Sequence, residues 1–191
     1  MKIIVQPVIE PVQIADVKAQ LGILTGDTAS DAIIASRITE ARQFIEWYTR
    51  RALNTQTLEI RMNSFCEYIE LPSPPILSVV SVKYIDNNGV LQTVASSDYV
   101  LDDYPMVPFI RYAYGLSWPS PRDERNAVRV QYTAGYGPLA TDVPQLLREA
   151  LMLIIGHWMN FQQQSENGLL LSRIPYAVRD ILDQYAVVRY T

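Results

Sequence analysis

The sequence is short of the residues that most often carry chemistry. Among 191 residues there is a single cysteine, Cys66, and a single histidine, His157. One cysteine excludes a disulfide framework and a thiolate metal cluster, and it fits a reducing compartment. One histidine excludes a two-His metal site and leaves a single imidazole for acid–base work. Charged residues make up 19% of the chain, below the usual quarter or so. The balance of 16 basic against 20 acidic residues gives −4, which argues against a protein built to neutralise phosphates or anionic lipid. Long hydrophobic runs are also missing. The most apolar stretch, Ala150 to Ile155, is preceded by Arg148 and Glu149 and runs into Gly156 and His157, too short to cross a bilayer. Near the N-terminus only Lys2 and a short apolar run broken by Pro7 and Pro11 occur, so a cytoplasmic-type protein without membrane contact is expected. What is plentiful is apolar surface, at 49%. With so few charges, that leans towards an oligomer that hides part of it.

The length suits one domain, or one domain with a large insertion, and is enough to bury roughly 70% of the unfolded chain's surface. Hydrophobic period divides the chain into helix, strand and helix thirds. Ile14, Val17 and Leu21 mark a short helix over 13–21 stopped by Gly22. A long helix from about Ala29 carries the stripe Ile34, Ile38, Ala41, Ile45 and Tyr48. From Asn54 the period becomes two. Leu58, Ile60 and Met62, then Val80, Val82 and Tyr84, then Val128, Val130 and Tyr132 alternate with polar residues as half-buried strands do. Asp86-Asn87-Asn88-Gly89 predicts a tight hairpin turn of type I′, whose positive φ angles an Asn-Gly pair tolerates. Leu71-Pro72-Ser73-Pro74-Pro75 predicts an extended connector outside any ladder. Helical period returns after Pro144 with Leu147, Leu151, Ile154, Trp158 and Phe161, and a last helix is expected over 176–185. The fold class expected is therefore α+β, mainly a bundle of four helices with a β-rich insertion between the second and third. As one domain over 1–191, it has helical parts 1–53 and 143–191 and an insertion over 54–142.

The charge follows the same division. Residues 1–53 hold six acids and six bases, residues 143–191 four of each, and residues 54–142 ten acids and six bases. The net negative charge belongs to the insertion, which should repel polyanions.

Each candidate for chemistry has a plainer explanation. His157 precedes Trp158 in an apolar helix with no nucleophile or orienting acid marked by a motif, so a hydrogen-bonded histidine at a helix edge is expected. Cys66 has no basic neighbour in sequence to lower its pKa and reads as a buried or half-buried inert thiol. Asp102 and Asp103 lack further ligands at loop spacing and read as a solvated strand end. Gly135-Tyr136-Gly137-Pro138 lacks the lysine and helix start of a phosphate cradle and reads as an exit turn. Arg122, Arg125 and Arg129 are interleaved with Asp123 and Glu124, a poor nucleic-acid patch. No catalytic residue, cofactor or metal site is expected.

An aromatic surface remains. Tyr114, Trp118 and Tyr136 fall in or near irregular segments, and the apolar triplet Leu169-Leu170-Leu171 ends a polar loop. Tyrosine and tryptophan favour interfaces because they combine large area with a polar handle. These six residues are the candidate interface of an interaction protein.

The run from Leu71 to Tyr84 followed by Asp86-Asn87-Asn88-Gly89 resembles the "LPxPPxxSVxSVxYxDxxG" signature of tailed-bacteriophage head–tail connector proteins. The resemblance extends through Asp98-Tyr99, Trp118-Pro119, the run Val130 to Gly137, Val143-Pro144, His157-Trp158 and Ile174-Pro175. Asp16 to Leu21 and Ala41 to Arg51 fit it too, whereas Asn160 to Gln164 departs from it in being uncharged. What the resemblance implies is a non-enzymatic virion protein at the head–tail junction, assembled from the host cytoplasm. Such connectors form a ring of about a dozen copies beneath the portal protein, extend the DNA channel without reading sequence, and dock the tail or a stopper. On that reading Asp102 and Asp103 are candidate channel-facing acids. A DNA-packaging accessory protein of the small-terminase kind, or another assembly component, is the alternative; the balanced charge of residues 1–53 speaks against it.

Overall fold

A computed structural model describes residues 1–164 and 175–187. The described residues are α+β, with four α-helices and eight strands in two sheets, and the sheets take a larger part than a mainly helical description conveys. Two compact units arise, one from Met1–Pro7 with Thr55–Tyr136 and one from Val8–Asn54 with Gly137–Thr191.

The second unit holds the helices α1 (Ile14–Leu21), α2 (Asp31–Thr49), α3 (Gln145–Gln164) and α4 (Tyr176–Tyr185). α1 opens with the Asp16 carboxylate accepting the Gln13 N–H at 3.1 Å and closes at Gly22, whose φ of 70° suits a residue without Cβ. In α2 the predicted stripe is the buried face: Ile34, Ile38, Ala41 and Ile45 are all within 2% of full burial. Tyr48, the last of the stripe, is half-buried and gives its hydroxyl to Asp183 at 2.7 Å. α3 begins directly after Pro144 and buries Leu147, Ala150, Leu151, Ile154 and Ile155. α4 buries Val178 and Leu182, and every helix packs against at least two others.

The first unit is two antiparallel layers. Strands β1 (Lys2–Val5), β2 (Gln56–Met62), β4 (Ile76–Ile85), β5 (Leu91–Val94) and β8 (Val128–Ala134) form one sheet in the order β1-β2-β8-β4-β5. Strands β3 (Tyr68–Glu70), β6 (Tyr99–Asp102) and β7 (Phe109–Tyr112) form the other in the order β3-β7-β6. Register puts Leu58 beside Tyr132 and Ile60 beside Val130, which faces Val82 in turn, and all are buried. Ile69 and Ile110 of the small sheet are buried as well. A chain of rings joins the layers, with Tyr84 on the large sheet, Phe65 and Trp118 between, and Tyr112 on the small one. The buried Tyr132 hydroxyl donates to Pro72 O at 2.8 Å, which fastens the proline connector to this core. Burial also raises the Tyr132 phenol pKa well above its usual range.

Three details differ from the expectation. The 86–89 hairpin is not type I′: only Gly89 has positive φ, at 82°, while its N–H bonds Asp86 O at 2.9 Å. Asp86 Oδ1 accepts the N–H groups of Asn88 and Val90, each at 2.9 Å, so the aspartate organises a longer turn that Gly89 completes. Val80, expected on the core face, is exposed because the register shifts between Val79 and Ser81 and leaves it unpaired in a bulge. β1, β3 and β7 are strands that the sequence pattern does not predict, whereas β6 ends at Asp102, where a strand end is expected.

Candidate interaction surface

His157 lies half-buried and partnered on α3, in the helical unit. Cys66 lies in the other unit and is exposed, which corrects the expected buried or half-buried thiol; the turn after β2 carries it outside the apolar layer. Asp102 closes β6 half-buried, with Oδ1 accepting the Tyr104 N–H at 3.2 Å, and Asp103 is exposed. Among the described residues no three His, Cys, Asp or Glu side chains gather to hold a metal ion. No helix of the described residues is long and apolar enough to cross a membrane. The 135–138 segment leaves β8 as an exit turn, with the Gly135 N–H bonded to Pro75 O at 2.9 Å.

Two of the candidate interface residues share one open groove of about 370 Å³ in the β unit, lined by Tyr68, Arg111, Tyr112, Tyr114, Leu116 and Trp118. They differ in role. Tyr114 sits at a turn tip before Gly115 and is 100% exposed, whereas Trp118 lies on Phe65 with centroids 4.6 Å apart and planes within 5°. Tyr112 tilts against Trp118 at 4.7 Å. Its phenol pKa is raised by burial and by the nearby Asp98 carboxylate. Tyr136 is half-buried and partnered, away from the groove. Leu169, Leu170 and Leu171 lie outside the described residues.

Residues 11–103 match the family of phage gp6-like head–tail connector proteins. The match spans 93 of the 191 residues, and over them the chain is similar to head–tail connectors. The matched stretch runs from Pro11, just before α1, to Asp103, so it includes the proline connector, the Asp86–Gly89 turn and Asp102. The groove residues from Arg111 onward lie beyond it. No curated protein matches the chain. Among solved structures it is similar to a chain in the neck of an empty GTA particle with C6 symmetry, at 21% identity and a TM-score of 0.82, covering 100% of this chain and 98% of that one. It is similar also to a chain in the virion of a native gene transfer agent particle, at 21% identity and 0.78, covering 98% and 97%. A chain in the neck of the native GTA particle with C12 symmetry matches at 19% identity and 0.78, covering 100% and 98%. These likenesses show a fold shared over the length of the chain.

Sequence order conceals a second surface on the large sheet. Its polar face carries Arg61, Lys83 and Arg129 on three neighbouring strands. Arg129 had been grouped with Arg122 and Arg125 along the chain, yet the register aligns it with residues 68 positions before it and 46 before it. Glu59 is buried beside them at 5% exposure, accepting Arg61 Nε at 2.6 Å and Gln131 Nε2 at 2.8 Å. Burial acts to raise its carboxyl pKa, but those two bonds and the charges of Arg61 and Arg129 outweigh burial and hold it below the usual range. The polar positions of three alternating strands were the available signal, although strand order was needed to read it.

Proposed function

We propose that the protein is a structural subunit of a virion neck, a head–tail connector that acts by assembly and not by catalysis. The observation that carries this reading is the family match over residues 11–103. Support comes from the fold shared with chains in particle necks of C6 and C12 symmetry. On this reading copies join as a ring of about a dozen at the head–tail junction, with a portal protein on one side and a tail or stopper protein on the other. DNA passes through without sequence recognition. The groove that exposes Tyr114 is a natural contact for one of these neighbours, because an exposed ring beside Leu116 and Arg111 offers the area and polar edge that interfaces favour.

The test is mass photometry with negative-stain imaging of the purified protein, alone and mixed with its cognate portal protein. Ring-shaped species of several copies are expected in at least one condition. A protein that stays monomeric in both overturns the reading.

A further inference from the structure

The polar face of the large sheet holds an arrangement that folding does not explain. Arg61 stands opposite Arg129 and Arg129 opposite Lys83, so three cations form one row across β2, β8 and β4. Neighbouring strands are about 4.8 Å apart, so the row spans roughly 10 Å. Like charges directly opposite one another destabilise a sheet. Glu59, one position along, is shared between Arg61 and Gln131. Neither Lys83 nor Arg129 forms an ion pair or side-chain hydrogen bond with another described residue, and Arg129 Nε is closed off with no partner. A row left in this state in the single chain suits an acidic surface supplied from outside.

The small sheet of the same unit carries two acids in one row. The outer face of the small sheet aligns Glu70, Phe109 and Asp102 across β3, β7 and β6. Glu70 is exposed and already partnered within the chain, Phe109 and Asp102 are half-buried, and the exposed Arg111 and the Tyr68 ring, edge-on to Phe109 at 5.1 Å, share the face. Two strand spacings separate the acids, about 10 Å, the same separation as Arg61 and Lys83. Phe109 stands between them where Arg129 stands between the two outer cations, and a guanidinium stacks favourably on an aromatic face.

We propose that the Arg61–Arg129–Lys83 row of one copy docks on the Glu70–Phe109–Asp102 row of a second copy, head to tail. This rests on the ring reading given above and names the surfaces that would join the copies. Because the two faces differ, the contact is heterologous, the kind that propagates from copy to copy and closes when the rotation allows. It assigns Asp102 to the contact between subunits and leaves Asp103 to solvent.

Charge reversal tests it by sedimentation velocity. Wild type should lose self-association between about 0.1 M and about 1 M salt, as the screening length falls from about 10 Å to about 3 Å. Lys83→Glu and Asp102→Lys should each weaken association about tenfold or more, and the double variant should recover most of the loss, since each single change opposes like charges that the double change pairs again. Circular dichroism checks that each variant folds, and Lys83→Gln serves as a milder second variant. If wild type assembles and neither reversal alters assembly, or the double variant shows no recovery, the docking is wrong and the ring reading stands. If wild type never associates, with or without portal protein, both fall together.

Discussion

Replacing Arg42 by methionine removes the shared cation of a buried charge network in the helical unit. Arg42 is 3% exposed; its Nε bonds Glu10 at 2.7 Å and its Nη1 bonds Glu46 at 2.9 Å. Glu10 also accepts the Thr39 hydroxyl at 2.9 Å, and Glu46 accepts the Leu53 N–H at 3.0 Å. Breaking a buried pair by removing one member costs about 3–5 kcal/mol, because a charge remains buried without its partner. The Glu10 side chain is 29% exposed and can hydrate, whereas that of Glu46 is 13% exposed, so Glu46 bears most of the loss and about 3 kcal/mol is expected. For a chain of this size that lowers Tm by about 6–12 °C. The loss depends on pH in a defined sense. Burial raises the Glu46 carboxyl above its ordinary 4.5, with the Leu53 N–H and Arg42 acting in the lowering direction. The folded state therefore holds that proton more tightly than the unfolded state, and stability falls as pH rises from the ordinary value through the folded one. Without Arg42 the folded pKa climbs further, so the deficit of Arg42→Met should be small near pH 4 and large near pH 7. Thermal melts at both pH values, with Arg42→Met/Glu46→Gln as a second variant, measure this. A deficit that is equal at the two pH values and unmoved by Glu46→Gln refutes the reasoning.

Gly137→Ala should destabilise by about 1–3 kcal/mol, because a Cβ there would lie 2.6 Å from Asp142 Cγ and 2.7 Å from its Cβ, and Asp142 is held by the Leu139 N–H; the urea midpoint reads it. Tyr132→Phe should cost about 1–2 kcal/mol by leaving Pro72 O without its donor, and an unchanged midpoint would show that the connector is fastened otherwise. Trp118→Ala should cost about 2–4 kcal/mol by opening the stack on Phe65, while the fully exposed Tyr114→Ala should leave stability within about 0.5 kcal/mol and weaken assembly instead; melts paired with sedimentation separate the two effects.

How legible the fold was depended on segment length and on repetition of the pattern. The stripe of α2 repeats over four turns, and burial of Ile34, Ile38, Ala41 and Ile45 follows from it directly. β2, β4 and β8 each give at least three alternating pairs, enough for the period of two to emerge. β3, β6 and β7 have three or four residues each, and Lys2–Val5 shows no alternation at all, with Ile3, Ile4 and Val5 all exposed on an edge strand. Nothing local distinguishes such pieces from loop; pairing with distant partners makes them strands. The Asn-Gly pair at 88–89 marked a turn correctly, but the Asp86 side chain two residues earlier determined its type.

The interaction surfaces were harder to read because their meaning lies in strand order. Trp118 and Tyr114, four residues apart, look equivalent along the chain, yet one fills the joint between two sheets and the other touches solvent on every side. Arg61, Lys83 and Arg129 each appear as the ordinary polar partner of an apolar strand residue. Only the order β2-β8-β4 turns three solvated positions into one row of like charge. Summing charge over residues 54–142 hides that row, since ten acids outnumber six bases there while three of the bases align across β2, β8 and β4. A net charge predicts how a whole molecule moves in a field, but which surface touches a neighbour is set by the charge within about one Debye length, about 8 Å at physiological salt. An acidic total is thus compatible with a basic row on one face, and the proposed docking uses that row as one end of a directed contact.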